Sequence, residues 1–166
     1  MSPKNLDFKI GDAVVYPKHG VGEVIKIESM EIANIKTMFY VVKMEQSKLT
    51  IRVPLDKQDE VGLRKISPKK VIEEVFSVLK LKPKIRRIMW SRRAQEYDAK
   101  IFSGDPIKIA EVVRDLFRKN TQAEQSYSER QMFQIAIERL AREVAAVEKT
   151  DYFQSTEKIE TILRNK

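Results

Sequence analysis

Two periodicities divide this chain. From Phe8 to about Ile66 apolar and polar positions recur with a period of two. Met38, Tyr40, Val42 and Met44 interleave with Phe39, Val41 and Lys43, and Leu49, Ile51 and Val53 interleave with Lys48, Thr50 and Arg52. Alternation in segments rich in β-branched and aromatic residues predicts short antiparallel strands with one face buried. Gly11-Asp12, Pro17 to Gly22 and Glu45 to Lys48 supply the turns. About five such strands in so short a stretch predict a small, strongly curved antiparallel sheet or barrel of the SH3 or Tudor type.

Beyond Ser67-Pro68 the period becomes helical and stays so. Ser67 is the expected N-cap, with Pro68 at the first helical position, where a missing N–H costs nothing. Val71, Ile72, Val75, Phe76 and Leu79 then form one stripe. A second helix is expected from near Trp90 to about Ser103-Gly104, glycine being the usual left-handed terminator. Asp105-Pro106 offers the next cap and first turn, leading into Ile109, Val112, Val113, Leu116 and Phe117. In the fourth helix Ser128 with Gln131 reads as a capping box and Tyr127 with Met132 as a hydrophobic staple, ahead of Phe133, Ile137, Leu140, Val144 and Val147. A short last helix runs from roughly Thr156 to Leu163. The expected architecture is therefore α+β in two domains: residues 1–66 as the β module, and residues 67–166 as a compact all-α domain of four to five helices. No internal repeat or low-complexity tract is visible.

Composition narrows the function classes. The chain of 166 residues has no cysteine and one histidine, which leaves no thiolate zinc site, disulfide framework or His-rich metal site. No apolar run approaches the ~20 residues that cross a bilayer, and Met1 to Asp12 has no apolar core of a secretory signal. A basic protein of the cytoplasm is expected. Its net charge of +8 is unevenly placed. Residues 1–68 hold 11 basic and 9 acidic side chains, and residues 69–166 hold 21 and 15. Between Lys80 and Lys100, eight cations (Lys80, Lys82, Lys84, Arg86, Arg87, Arg92, Arg93, Lys100) face only Glu96 and Asp98. One-sided charge of this kind is the footprint of a polyanion binder.

Candidate chemistry follows from these placements. His19 lies in a turn, Pro17-Lys18-His19-Gly20, with no nucleophile in a recognisable motif, and Gly20 and Gly22 make no phosphate loop. No enzyme, cofactor or small-molecule substrate is indicated. Trp90, the only tryptophan, sits inside the cationic run. Its spacing to Ala94, Tyr97 and Ile101 would let it start a core stripe; its place at a helix start, after a run containing Pro83, would let it project into a groove. Both readings remain open from pattern alone. Arg52 points outward on a strand that ends at Pro54, and proline is confined to edge strands and strand starts. Such an edge could add a partner's strand, while the guanidinium takes a carboxylate. From pattern alone, the reading as an ordinary surface arginine prevails.

The segments Gly11-Asp12-Ala13-Val14-Val15-Tyr16-Pro17, Leu49-Thr50-Ile51-Arg52-Val53-Pro54, Val61-Gly62-Leu63-Arg64, Trp90-Ser91-Arg92-Arg93, Ser103-Gly104-Asp105 and Ile109 to Leu116, in this order, resemble the CarD/CdnL family of bacterial transcription regulators over nearly the whole chain. The resemblance implies a Tudor-like N-terminal module, related to one in transcription-repair coupling factors, that docks on the RNA polymerase β subunit. Arg52 matches the family's polymerase-contacting arginine, so Thr50, Ile51, Arg52 and Val53 form the candidate polymerase-binding strand. The resemblance also implies a helical domain that contacts promoter DNA at the upstream edge of the melted bubble, with the tryptophan that aligns with Trp90 wedged in the minor groove. Trp90, Lys84, Arg87, Arg92, Arg93 and Arg130 are the candidate DNA-binding residues. Two positions depart from the family: Met30 stands where some members carry a second polymerase-contacting arginine, and Gln95 where some carry a DNA-facing lysine. The function implied is non-enzymatic stabilisation of the open promoter complex through largely sequence-independent contacts, at the nucleoid through the polymerase. A protein adaptor whose basic face engages acidic proteins or structured RNA is the alternative.

Overall fold

The computed structural model describes residues 6–118 and 126–166, which divide into two compact units, Met1–Ile66 and Ser67–Lys166. The first unit is a five-stranded antiparallel sheet of β1 (Ala13–Tyr16), β2 (Gly20–Ile32), β3 (Ile35–Met44), β4 (Thr50–Pro54) and β5 (Arg64–Lys65). The strand order is β4-β3-β2-β1-β5, so β4 is an edge. Val14, Val24, Tyr40, Val42, Met44 and Val53 face one core, closed by Phe8 and Leu63. Phe8 meets Tyr40 edge-on with ring centroids 5.2 Å apart, and burial pushes the Tyr40 hydroxyl above its ordinary pKa.

Several sheet expectations are corrected. The strands are not all short: β2 has 13 residues and β3 has 10. They join through Ala33-Asn34, whose φ values of 52° and 67° are both positive, as a two-residue turn with Ile32 opposite Ile35 requires. Neither residue announces such a turn as Asn-Gly would. Gly20 and Gly22 belong to β2 rather than to the preceding turn. A Cβ at Gly22 would lie 2.8 Å from Val42 Cγ1 and 2.9 Å from the Lys43 carbonyl, so β3 can approach only a glycine here. A bulge at Ile25 shifts the register, with Val24 opposite Val42 and Lys26 opposite Val41. Finally, β3 is buried on both faces from Phe39 to Val42, not on one.

The second unit holds five helices of more than ten residues: α2 (Lys69–Leu79), α3 (Trp90–Phe102), α4 (Pro106–Leu116), α5 (Tyr127–Glu148) and α6 (Tyr152–Arg164); a single helical turn, α1 (Gln58–Val61), belongs to the first unit. Asp105 caps α4 as expected, its carboxylate accepting from the Ile107 N–H at 2.9 Å with Pro106 in the first turn. Gly104, at φ 74°, ends the chain's excursion after α3. Three caps differ from expectation. Ser67 does not cap α2; Pro68 occupies that position, and the Ser67 hydroxyl and N–H instead donate to the buried Glu143 carboxylate at 2.6 and 2.9 Å. A buried carboxylate short of donors costs more than an uncapped helix end. The α5 cap is Ser126, accepting from the Glu129 N–H at 3.2 Å, which places Ser128 inside the helix and leaves Tyr127 69% exposed instead of stapled. Helix α6 starts four residues earlier than expected because Asp151 caps it through the Gln154 N–H.

Helix α4 is central, packing on α2, α3 and α5. Eight of its eleven residues are buried, including Arg114 and Asp115, whose side chains meet at 2.8 Å. That buried pair matters because Asp115 also reaches into the basic segment.

Candidate functional site

The chain between α2 and α3 is pinned at three points. The Lys84 N–H donates to Asp115 Oδ1 at 2.9 Å, the Lys166 ammonium donates to the Leu81 carbonyl at 2.7 Å, and Arg86 pairs with Glu96 at 2.5 Å. A stretch with no regular structure and many like charges would otherwise spread apart, and these contacts tie it to α4, to α3 and to the residues following α6. At its end, Trp90 opens α3. Tyr97 and Ile101, two and three turns further, are buried, while the indole is half-buried. It therefore stands between the two readings of its spacing. The rings of Trp90 and Tyr97 lie 6.2 Å apart, and the Arg93 guanidinium sits 5.4 Å from the first and 5.7 Å from the second. Arg93 also donates to the Tyr97 hydroxyl at 3.3 Å, while its Nε is buried with no hydrogen-bond partner. The two ring faces offset that desolvation. Arg93 thus props the indole rather than reaching into solvent.

The other cations sort clearly. Lys100 is tied to Glu111 at 2.7 Å. Lys80, Lys82, Lys84, Arg87 and Arg92 are exposed and make no ion pair with any described residue. Arg130 is exposed on the first turn of α5, and no hydrogen bond or ion pair among the described residues joins it to the Trp90 cluster. Gln95 is exposed and lines an open depression with Arg87, Ile88, Met89, Ser91 and Arg92.

On the sheet, Arg52 lies on the edge strand, opposite Val41, which in turn is opposite Lys26. Its Nε donates to Glu28 Oε2 at 3.0 Å, and Lys26 donates to the other oxygen at 3.3 Å. The three side chains bridge β2 to β4 over β3. The Arg52 hydrogen bond foremost, then that from Lys26, holds the Glu28 carboxyl below the ordinary glutamate range. Thr50 is exposed on the same face as Arg52. Val53 is 1% exposed and Ile51 half-buried, because both point into the core. Of the candidate strand, only Thr50, Arg52 and the free backbone edge are open to a partner. His19 is exposed in its turn with its ring 5.2 Å from Tyr16, and no three described carboxylates or histidines are grouped to hold a metal.

The sheet unit matches the CarD-like/TRCF RID domain over residues 8–67, and the helical unit matches the CarD C-terminal domain over residues 74–160. The chain belongs to the CarD family. A relative from Bacillus subtilis (strain 168), named "Putative transcription factor YdeB", is 31% identical over 140 residues, covering 84% of this chain and 92% of its own length. A solution NMR structure of the 72-residue N-terminal domain of Myxococcus xanthus CarD is 35% identical, covers 38% of this chain and 84% of that one, with a TM-score of 0.32. CdnLNt from the same organism is 41% identical, covering 40% and 93%, also at 0.32. The CarD family is one of transcription factors, and transcription regulation is this chain's role. In CarD terms, the two matched domains divide the candidate residues between them: Arg52 falls in the first, Trp90 and Arg130 in the second.

Two residues that organise these surfaces do not stand out as site residues in the sequence: Glu28 and Asp115. Glu28 could have been found from its alternation with Lys26 on one strand face. Asp115 lies 31 residues from Lys84, and nothing local signals their contact.

Proposed function

We propose that this CarD-family regulator is a non-enzymatic bridge. The β4 edge, with Arg52 at its centre, docks on the RNA polymerase β subunit, and the Trp90 face lies against promoter DNA at the upstream edge of the melted bubble. Tethering one unit to polymerase raises the local concentration of the other at the fork. There, Lys80, Lys82, Lys84, Arg87 and Arg92 take phosphates without reading bases, and the indole props a distorted minor-groove step against reclosure. The observation that carries this reading is the indole backed by Arg93 and Tyr97 and only partly buried, beside five exposed cations that make no ion pair among the described residues. An unpaired strand edge next to an oriented guanidinium supports the polymerase contact.

The test is the lifetime of heparin-challenged open promoter complexes on purified polymerase. Trp90→Ala is expected to fold and bind polymerase normally while shortening that lifetime several-fold. Arg52→Glu is expected to lose polymerase binding, and the lifetime effect with it. Equal lifetimes for the parent and Trp90→Ala would refute the wedge.

A further inference from the structure

Met89 is the most exposed apolar side chain beside Trp90. It is 77% open to solvent, whereas the indole is half-buried against Tyr97. Its backbone is extended (φ −56°, ψ 142°), one residue ahead of α3, so the side chain is not drawn into the apolar stripe of that helix. It borders an open depression of about 570 Å³ together with Arg87, Ile88, Ser91, Arg92 and Gln95. Among the described residues, two arginines without an ion pair, two neutral hydrogen-bonding side chains, two apolar ones and no carboxylate line that depression. An exposed methionine alone needs no explanation. One set between two free cations and next to the tryptophan suits a ligand carrying phosphates beside a flat apolar surface. A sugar-phosphate backbone with an unstacked base has both. An acidic peptide would use the cations and leave Met89 in water.

We propose that Met89 is a second apolar wedge, entering beside an unstacked base at a junction of duplex and single strand while Arg87 and Arg92 hold the flanking phosphates. The inference rests on the reading of Trp90 as a DNA-contacting group. Methionine is well suited to such insertion. Its unbranched thioether adapts to an irregular gap and contacts aromatic faces favourably, and it is among the side chains that protein wedges use in the minor groove. Trp90, fixed by Arg93 and Tyr97, supplies the rigid platform, and Met89 the adaptable tip.

The experiment compares full-length Met89→Ala, Met89→Gln and Trp90→Ala with the parent. It measures affinity for a forked promoter fragment and for uninterrupted duplex at matched salt, with 2-aminopurine at the junction reporting unstacking. Both Met89 substitutions are expected to weaken fork binding about three- to tenfold. Duplex affinity and thermal midpoint should stay unchanged, because the side chain is 77% exposed, and the unstacking signal should fall. Parent-like fork affinity and signal in both Met89 variants, with Trp90→Ala still impaired, would overturn the second wedge and leave the DNA reading standing. Equal losses on fork and duplex would also overturn it, reducing Met89 to a general contact. If none of the three substitutions alters fork binding, both readings fall.

Discussion

Arg52 Nε and Lys26 Nζ both donate to Glu28, at 3.0 and 3.3 Å, on the outer face of the sheet. The Arg52 amino groups make no hydrogen bond to any described residue and stay available to a partner. Glu28 therefore aims the guanidinium. Because its carboxyl titrates below the ordinary range, the sign of the linkage is fixed. The interaction is fully present above the ordinary glutamate range and is lost as pH falls through the lowered folded-state value. NMR titration of the carboxyl should show a midpoint below that range, rising in Arg52→Ala and rising less in Lys26→Ala. An unmoved midpoint in Arg52→Ala would show that the pair is not made in solution. At this scale the sequence reveals residue type and, along a strand, outward direction, which is why Trp90 stands out by type and Arg52 by direction. It does not reveal which neighbour holds a side chain. Arg93 has the sequence setting of a phosphate-binding cation, yet two aromatic faces enclose it.

Element boundaries are legible wherever the signal is local and unambiguous. Asp105-Pro106 puts the cap and first turn of α4 in adjacent residues, and the structure follows it. Two overlapping registers make α5 ambiguous: Ser128 with Gln131 and Ser126 with Glu129 both have capping-box spacing. The chain uses the second. Ser126→Ala should then destabilise the helical unit by about 1 kcal/mol, whereas Ser128→Ala, at an exposed position inside the helix, should leave it unchanged or stabilise it by a few tenths. Urea unfolding of the two variants decides between the registers, and the reverse order would restore the Ser128 cap. Ser67 departs from its local pattern for a different reason. Its hydroxyl serves Glu143, 76 residues away, and no local pattern carries a contact of that span. The Ala33-Asn34 turn is faint in the sequence because only Asn34 is of a type that readily takes positive φ and no glycine accompanies it, and the paired length of β2 and β3 imposes the conformation.

Across the whole molecule, charge is the property that sequence conveys best and structure refines. The segment from Lys80 to Lys100 holds eight cations against two acids. Folding then removes some of them from play: Arg86 is held by Glu96, Lys100 by Glu111 and Arg93 by two rings. Five remain exposed without an ion pair among the described residues: Lys80, Lys82, Lys84, Arg87 and Arg92. If each meets one phosphate, the affinity for duplex DNA should fall with a log–log salt slope of about −4.5, or roughly 500-fold between 50 and 200 mM monovalent salt. Arg92→Gln should flatten the slope by about one unit. Trp90→Ala should lower affinity for the fork and leave the slope alone, since an indole releases no counterions. Anisotropy titrations at four salt concentrations separate the two effects. A slope shallower than about −2 would mean that most of these cations are solvated surface. A slope change in Trp90→Ala would mean that the indole positions the cations instead of contacting DNA itself.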